Sequence, residues 1–128
     1  MREDAIKNPN HYTSGNVECI EYTRHMDFNH GNAFKYVYRC NHKGTKDQDL
    51  GKALQYIEFI KQDKSRVLSS LEVTDEMRDG ILSMDISENL RGALACICHS
   101  SISQRKFGRY DMAMISMAEK NITEEIGS

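Results

Sequence analysis

The sequence is poor in several features that define large protein classes. It has one proline, no tryptophan and no apolar run approaching the roughly 20 residues of a membrane span. It has no G-x-x-x-x-G-K-[ST] sequence, which excludes a P-loop as the source of any phosphate chemistry. Its formal charge is −2, so no overall positive field would draw it to nucleic acid or to a membrane. We therefore expect a soluble, cytoplasmic protein that has neither a membrane nor a nucleic acid as its partner.

Cysteine is also sparse, and its spacing does not indicate a disulfide framework or a metal site. Cys19, Cys40, Cys96 and Cys98 suit a reducing cytoplasm, and the first ten residues lack the apolar core of a signal peptide. Cys96-x-Cys98-His99 invites a zinc hypothesis. On a helix, however, Cys96 and Cys98 would point about 160° apart, too far to ligate one ion. We therefore predict no metal ligands.

What the sequence does contain is helical periodicity. Hydrophobic residues make up 39% and charged residues 28%, a balance typical of a helix-rich globule. The spacing predicts an all-α fold, a single compact domain over residues 1–128 with four to six helices. An antiparallel pair at 31–62, joined by a short turn, forms its base. Other helices are expected at 16–27, at 74–84, from 87 onward with Ser87 as the N-cap, and at 109–121. A break at 28–31 precedes the central pair, residues 63–72 form either a linker or a ragged helix end, and residues 100–108 form a loop.

The central pair carries a polar surface that suits an anion. The first helix places on one arc Asn32, Lys35, Tyr36, Arg39 and Lys43, and the second places Asp49, Lys52 and Tyr56 beside a buried apolar stripe. Free backbone N–H groups at the start of the second helix, near Lys43 and Lys46, would also suit a phosphate. The alternative is that this face is only solvated, as most charged helix faces are.

Two further sets of polar residues precede the central pair. His11 and Tyr12 follow Pro9 on a fixed loop, where they either clamp a ligand or cover the core edge and remain solvated. Glu18 and Glu21 lie three residues apart, as in the E-x-x-E pair of all-α nucleoside triphosphate pyrophosphohydrolases. The second acidic pair of those enzymes is missing, so a solvated helix face is the preferred interpretation, and a requirement for Mg²⁺ stays open.

The order and spacing of these residues resemble the SaV-like family of small phage proteins, which includes phage nucleotide kinases. The resemblance covers about residues 8–62. Its parts are Asn8-Pro9-x-His11-Tyr12, Val17-Glu18-x-Ile20-Glu21, Gly31-Asn32-Ala33-x-Lys35-Tyr36-x-x-Arg39, His42-Lys43-Gly44, Asp49-Leu50-x-Lys52-Ala53 and Tyr56-Ile57.

The resemblance implies a helical nucleotide-binding protein that phosphorylates deoxynucleoside monophosphates with ATP or another triphosphate as donor. Catalytic roles are expected for Lys35 and Arg39, which would neutralise charge on the transferred phosphoryl group, and for Asp49, which would accept a proton or hold Mg²⁺. Substrate binding falls to His11, Tyr12, Asn32, Tyr36, Lys43, Lys52 and Tyr56. The alternative is a non-catalytic protein that binds nucleotides or a host protein.

The C-terminal half, residues 63–128, matches no pattern and is expected to complete the core. The last helix has apolar side chains around much of its circumference, at Met112, Met114, Ile115 and Met117. More than one apolar face predicts a homo-oligomer, with this half as the interface.

Overall fold

The computed structural model describes residues 17–42, 44–62, 73–107 and 109–128, without the side chains of residues 104 and 105. These parts contain six helices and no strand. The helices are α1 (Cys19–Thr23), α2 (Phe28–Arg39), α3 (Lys46–Gln62), α4 (Asp75–Leu82), α5 (Glu88–Phe107) and α6 (Met112–Glu125). The all-α prediction is confirmed. None of these helices is long and apolar enough to cross a bilayer.

The helices α2 and α3 form the predicted antiparallel pair. Phe28 at the start of α2 contacts Tyr56 near the end of α3, whereas Arg39 at the end of α2 faces Asp49 at the start of α3. The turn between the two helices contains Gly44, whose φ of 70° lies in the left-handed region that glycine tolerates best. The short turn and the apolar stripe together therefore fix this hairpin.

The core lies between the α2–α3 hairpin and a second hairpin, made of α5 and α6. The large side chains with almost no exposure come from both hairpins and from α1. They include Tyr22, Phe34, Tyr38, Leu50, Ile57, Leu90, Leu94, Ile97, Ile115 and Ile122. Tyr22 and Tyr38 satisfy their buried hydroxyls by donating to the carbonyls of Met77 and Val17. The C-terminal half thus completes the core.

Two predicted breaks in the helices are wrong. Residues 28–31 belong to α2, because the Asp27 carboxylate accepts a hydrogen bond from the His30 amide and so caps the helix one turn earlier than expected. Residues 100–107 belong to α5 rather than to a loop, because Ser100 and Ser101 are buried against neighbouring helices. The loop was predicted from the polar residues of this stretch, which the structure shows to be helical.

A buried polar chain joins the start of α2 to the end of the α5–α6 hairpin. Asp27 Oδ1 lies 2.7 Å from His30 Nδ1, and His30 Nε2 lies 2.7 Å from Ser100 Oγ. The amide of Asp111, the N-cap residue of α6, donates to the same Ser100 oxygen. Because His30 and Ser100 are at most 1% exposed, this chain links three helices without access for a ligand.

A second polar contact ties α3 to the C-terminal half. The buried Glu125 accepts from Lys46 Nζ at 2.7 Å and from Ser87 Oγ at 2.7 Å. Ser87 also accepts from the Leu90 amide, which confirms the prediction that it caps α5. Burial works to raise the pKa of Glu125, but these donors outweigh it and lower that pKa below its ordinary value.

Only part of the apolar circumference predicted for α6 faces outward. Ile115 is fully buried, whereas Met112 and Met117 are 66% and 51% exposed. Met114 is half-buried against the core. Two methionines of this helix are therefore exposed, and homo-oligomerisation through this half of the chain stays a prediction.

Candidate functional site

Three positive side chains converge on one aromatic ring at the α2–α3 interface. The Nζ atoms of Lys35 and Lys52 lie 4.7 and 5.4 Å from the centroid of the Tyr36 ring, and the guanidinium carbon of Arg39 lies 5.3 Å from it. Lys35 and Arg39 lie on α2, and Lys52 comes across from α3. Packing of the two helices therefore assembles the cationic surface that the sequence predicted.

The aromatic side of this surface is larger than predicted. Tyr36 stacks on Tyr56 with a centroid distance of 6.0 Å and an interplanar angle of 14°. Tyr56 also meets Phe28 at 5.8 Å and Phe59 at 5.6 Å, both edge to face. Phe28 is 70% exposed and Phe59 39% exposed. We call these four rings with Lys35, Arg39 and Lys52 the basic aromatic surface.

Arg39 is the cation of this surface that also has a carboxylate beside it. Its Nε lies 3.8 Å from Asp49 Oδ2, too far for a hydrogen bond, and that nitrogen is buried. The side chain of Asp49 is only 3% exposed and its Oδ2 accepts a hydrogen bond from Thr45 Oγ1 at 3.1 Å. Asp49 therefore lies beneath Arg39, in a place that orients the guanidinium and leaves the carboxylate little access to a substrate.

The two lysines have no such counter-charge. In the part of the chain that the structure describes, no carboxylate lies within ion-pair distance of Lys35 or Lys52, although surface lysines elsewhere are paired. Lys61, for example, lies 2.7 Å from Glu119 Oε1. Three like charges near one ring repel one another, and the negative face of the ring offsets this only in part. An anion bound here would relieve the repulsion.

The remaining predicted site residues have different outcomes. The side-chain amide of Asn32 donates to the carbonyl of Phe28 at 2.9 Å, which places it on α2 beside the first ring of the surface. His11, Tyr12 and Lys43 lie outside the described residues, so their predicted roles in substrate binding stay predictions.

The start of α3 is a weaker candidate for a phosphate than the sequence suggested. Lys46 is committed to the buried Glu125, whose contact raises the pKa of the lysine above its ordinary value. The first turn of α3 also lies against the end of the chain, where Asp47 Oδ1 accepts from the Gly127 amide at 3.1 Å. An open cleft lined by residues 44–48, 127 and 128 remains there.

The cysteines form no reactive or metal-binding site in the described structure. All four are buried and free, and burial raises the pKa of Cys19 and of Cys40 to about 12 and shifts those of Cys96 and Cys98 in the same direction. Among the described residues, no group of three His, Cys, Asp or Glu side chains is arranged to hold a metal ion.

Two residues of the basic aromatic surface were missed in the sequence. Phe28 was assigned to a break before the helix, although Asp27, a favourable N-cap residue, marks a helix start immediately before it. Phe59 lies three residues after Tyr56, a spacing that brings two side chains to the same face of a helix. Both could therefore have been found from local rules.

A comparison with protein families gives a match over the N-terminal part of the chain. Residues 6–58 match a protein family described as "Protein of unknown function (DUF3310)". The matched stretch contains every predicted site residue and all of the basic aromatic surface except Phe59. No significant match was found among curated proteins or among solved structures.

Proposed function

We propose that the basic aromatic surface binds the phosphates of a nucleotide and that the protein is a deoxynucleoside monophosphate kinase with a triphosphate donor. One observation carries the binding proposal: Lys35, Arg39 and Lys52 converge on Tyr36 with a single, buried carboxylate among the described side chains facing them. A phosphate group is an anion of suitable size and charge for three such donors. Arginine adds a planar fork that binds two oxygens at once.

The neighbouring rings support a nucleotide rather than a simple anion. Phe28 and Phe59 expose aromatic surface on the same face as the cations and carry no polar group of their own. Stacking of a base on an aromatic side chain contributes about 1–3 kcal/mol, and every base offers a flat face for it. Cations beside exposed rings therefore match the two halves of a nucleotide.

The kinase activity rests on the resemblance and on what phosphoryl transfer needs. Such enzymes act mainly by positioning the reactants and neutralising the charge on the transferred group, for which Lys35, Arg39 and Lys52 are suited. Nucleotide binding without catalysis is the second candidate. The burial of Asp49 favours it, because the carboxylate predicted to accept a proton already contacts Arg39 and Thr45.

A direct assay separates these two functions. The protein is incubated with ATP, Mg²⁺ and each deoxynucleoside monophosphate in turn, and diphosphate products are resolved by chromatography. A kinase gives a diphosphate from at least one monophosphate, and Arg39→Ala prepared in the same way forms it roughly tenfold to a hundredfold more slowly. Binding by calorimetry without any product would support the non-catalytic alternative. The absence of both product and binding would refute both functions.

The variant Asp49→Asn tests the role of the buried carboxylate within the kinase proposal. If Asp49 orients Arg39, the neutral variant keeps measurable turnover and changes mainly the affinity for nucleotide, because Arg39 loses its nearby negative charge. If Asp49 is instead the proton acceptor, turnover falls by several orders of magnitude while binding is retained. Measuring turnover and nucleotide affinity on the same preparation of Asp49→Asn therefore assigns the role of Asp49.

A further inference from the structure

The exposed ring of Phe28 and the three cations lie at opposite ends of the basic aromatic surface. The Phe28 centroid is 5.8 Å from that of Tyr56, which in turn is 6.0 Å from that of Tyr36, where the cations gather. Lys35 and Arg39 follow Phe28 by seven and eleven residues on α2. At 1.5 Å per residue, their backbones lie roughly 10 and 16 Å farther along the helix axis.

This separation constrains the length of the ligand. Phe28 is the most exposed ring of the surface, and the face of Tyr36 is already occupied by cations and by Tyr56. A base therefore finds its open stacking face at Phe28. A monophosphate attached to that base through one ribose carries its charge nearer to Tyr56 than the terminal group of a triphosphate does. A chain of three phosphates extends two further links toward Lys35, Arg39 and Lys52.

We propose that this surface is a nucleoside triphosphate site, in which Phe28 holds the base and Lys35, Arg39 and Lys52 hold the distal phosphates. The inference rests on the proposed nucleotide binding and adds that the surface selects by phosphate number. It assigns the triphosphate donor, and not the monophosphate acceptor, to the α2–α3 surface. Arg39, held from below by Asp49, grips the terminal phosphate, the group with the highest charge.

The test is a length series measured by isothermal titration calorimetry on the full chain. The probes are AMP, ADP, ATP and inorganic tripolyphosphate at constant ionic strength, with and without Mg²⁺. We expect affinity to rise at least tenfold from AMP to ATP, since each added phosphate brings charge closer to the cations. Tripolyphosphate, which has no base, should bind more weakly than ATP.

The variants Phe28→Ala and Phe107→Ala test whether Phe28 holds the base, with Phe107→Ala as the control. Both phenylalanines are strongly exposed, at 70% and 72%, but Phe107 lies at the end of α5. Phe28→Ala should weaken the affinity for ATP roughly tenfold, in keeping with the loss of one stacked base. Its affinity for tripolyphosphate should be unchanged. Phe107→Ala should affect neither ligand. Thermal unfolding of both variants verifies that they are folded.

The outcomes separate this inference from the proposed function. Equal affinity for AMP and ATP would overturn the selection by phosphate number and leave nucleotide binding intact. Equal loss of ATP and tripolyphosphate binding in Phe28→Ala would overturn the assignment of the base. Tighter binding of a single-stranded oligonucleotide than of ATP would overturn the triphosphate assignment. No binding of any probe would refute the proposed function itself.

Discussion

The two ends of helix α2 use their polar residues in opposite ways. At its start, His30 is buried and the Asp27 side chain is 10% exposed, and each contacts another protein group at 2.7 Å. Near its end, Lys35 and Arg39 gather on Tyr36 together with Lys52, and the two lysines have no carboxylate partner among the described residues. The polar groups at the buried end contact one another, whereas at the exposed end the buried Asp49 is the single described carboxylate beside three like charges.

This difference separates a structural polar cluster from a candidate binding site. Asp27, His30 and Ser100 have the order of a hydrolytic triad, but Ser100 is fully buried and already accepts from the Asp111 amide. The Asp27 carboxylate lies against Nδ1 of the His30 ring, and Nε2 of the same ring contacts the Ser100 hydroxyl. These contacts hold α2 against α5 and α6. The access of a polar cluster to solvent is thus a better guide to a binding or catalytic role than the residue types in it.

The largest expected effect is on the buried end. His30→Ala leaves a cavity and removes the partner of two buried polar groups, which should lower the free energy of unfolding by about 3 kcal/mol. Urea denaturation followed by circular dichroism measures this. The control is His99→Ala on α5, an exposed position, which should change the free energy by less than about 0.5 kcal/mol. Similar values for the two variants would show that the buried chain contributes little.

The next effect is on the exposed end. Arg39→Ala removes a charge-assisted contact worth about 1.5–3 kcal/mol, so nucleotide affinity or turnover should fall roughly tenfold to a hundredfold. Arg39→Lys should retain only part of the wild-type affinity or turnover, because an ammonium lacks the planar fork of a guanidinium. Stability should also fall, because the buried Asp49 carboxylate loses its nearby positive charge.

Lys61→Ala is the control for Arg39. Lys61 lies on the same hairpin but pairs with Glu119, away from the Tyr36 ring. Its loss should leave nucleotide affinity unchanged and cost no more than about 1 kcal/mol of stability, as for other exposed ion pairs. Unchanged nucleotide affinity in folded Arg39→Ala would mean that the site lies on another face.

The smallest expected effect is a dependence of stability on pH at the buried end of α2. Burial acts to raise the pKa of Asp27, but its contacts with His30 outweigh this and hold that pKa below its ordinary value. The carboxylate's contribution to stability is therefore complete above the ordinary value of about 4 and is lost as pH falls through the lower pKa of the folded state.

The matched variant for this effect is Asp27→Asn, which keeps an oxygen able to cap the helix. Its stability, followed by urea denaturation between pH 6 and pH 2, should converge on that of the wild type as the medium becomes acidic. A constant difference across this range would contradict the assigned charge of Asp27.

Much of the fold and of the candidate site follows from local rules in the sequence. The stripe from Leu50 to Ile60 and the φ of Gly44 specify the central hairpin, and helical spacing places Lys35, Tyr36 and Arg39 on one arc. Their convergence with Lys52 and Tyr56 follows once the hairpin is known to be antiparallel.

What the sequence did not reveal depends on contacts between distant residues. His30 and Ser100 are 70 positions apart, so nothing local shows that both are buried. Lys46 looked available for a phosphate until folding brought Glu125 to it. Asp49 was assigned to a polar shoulder, but the packing of α2 over α3 places it beneath Arg39. In each case tertiary contacts decided whether a polar group remained free.

The most direct test of the nucleotide-binding proposal is a titration of ¹⁵N-labelled protein with ATP, followed by heteronuclear NMR. The account predicts the largest amide shifts at residues 28–39 and 52–59, with a saturation curve that Arg39→Ala moves to higher ATP concentration. Small or no shifts are expected for α6. Shifts concentrated at residues 44–48 and 127–128, or none at saturating ATP, would contradict a nucleotide site on the basic aromatic surface.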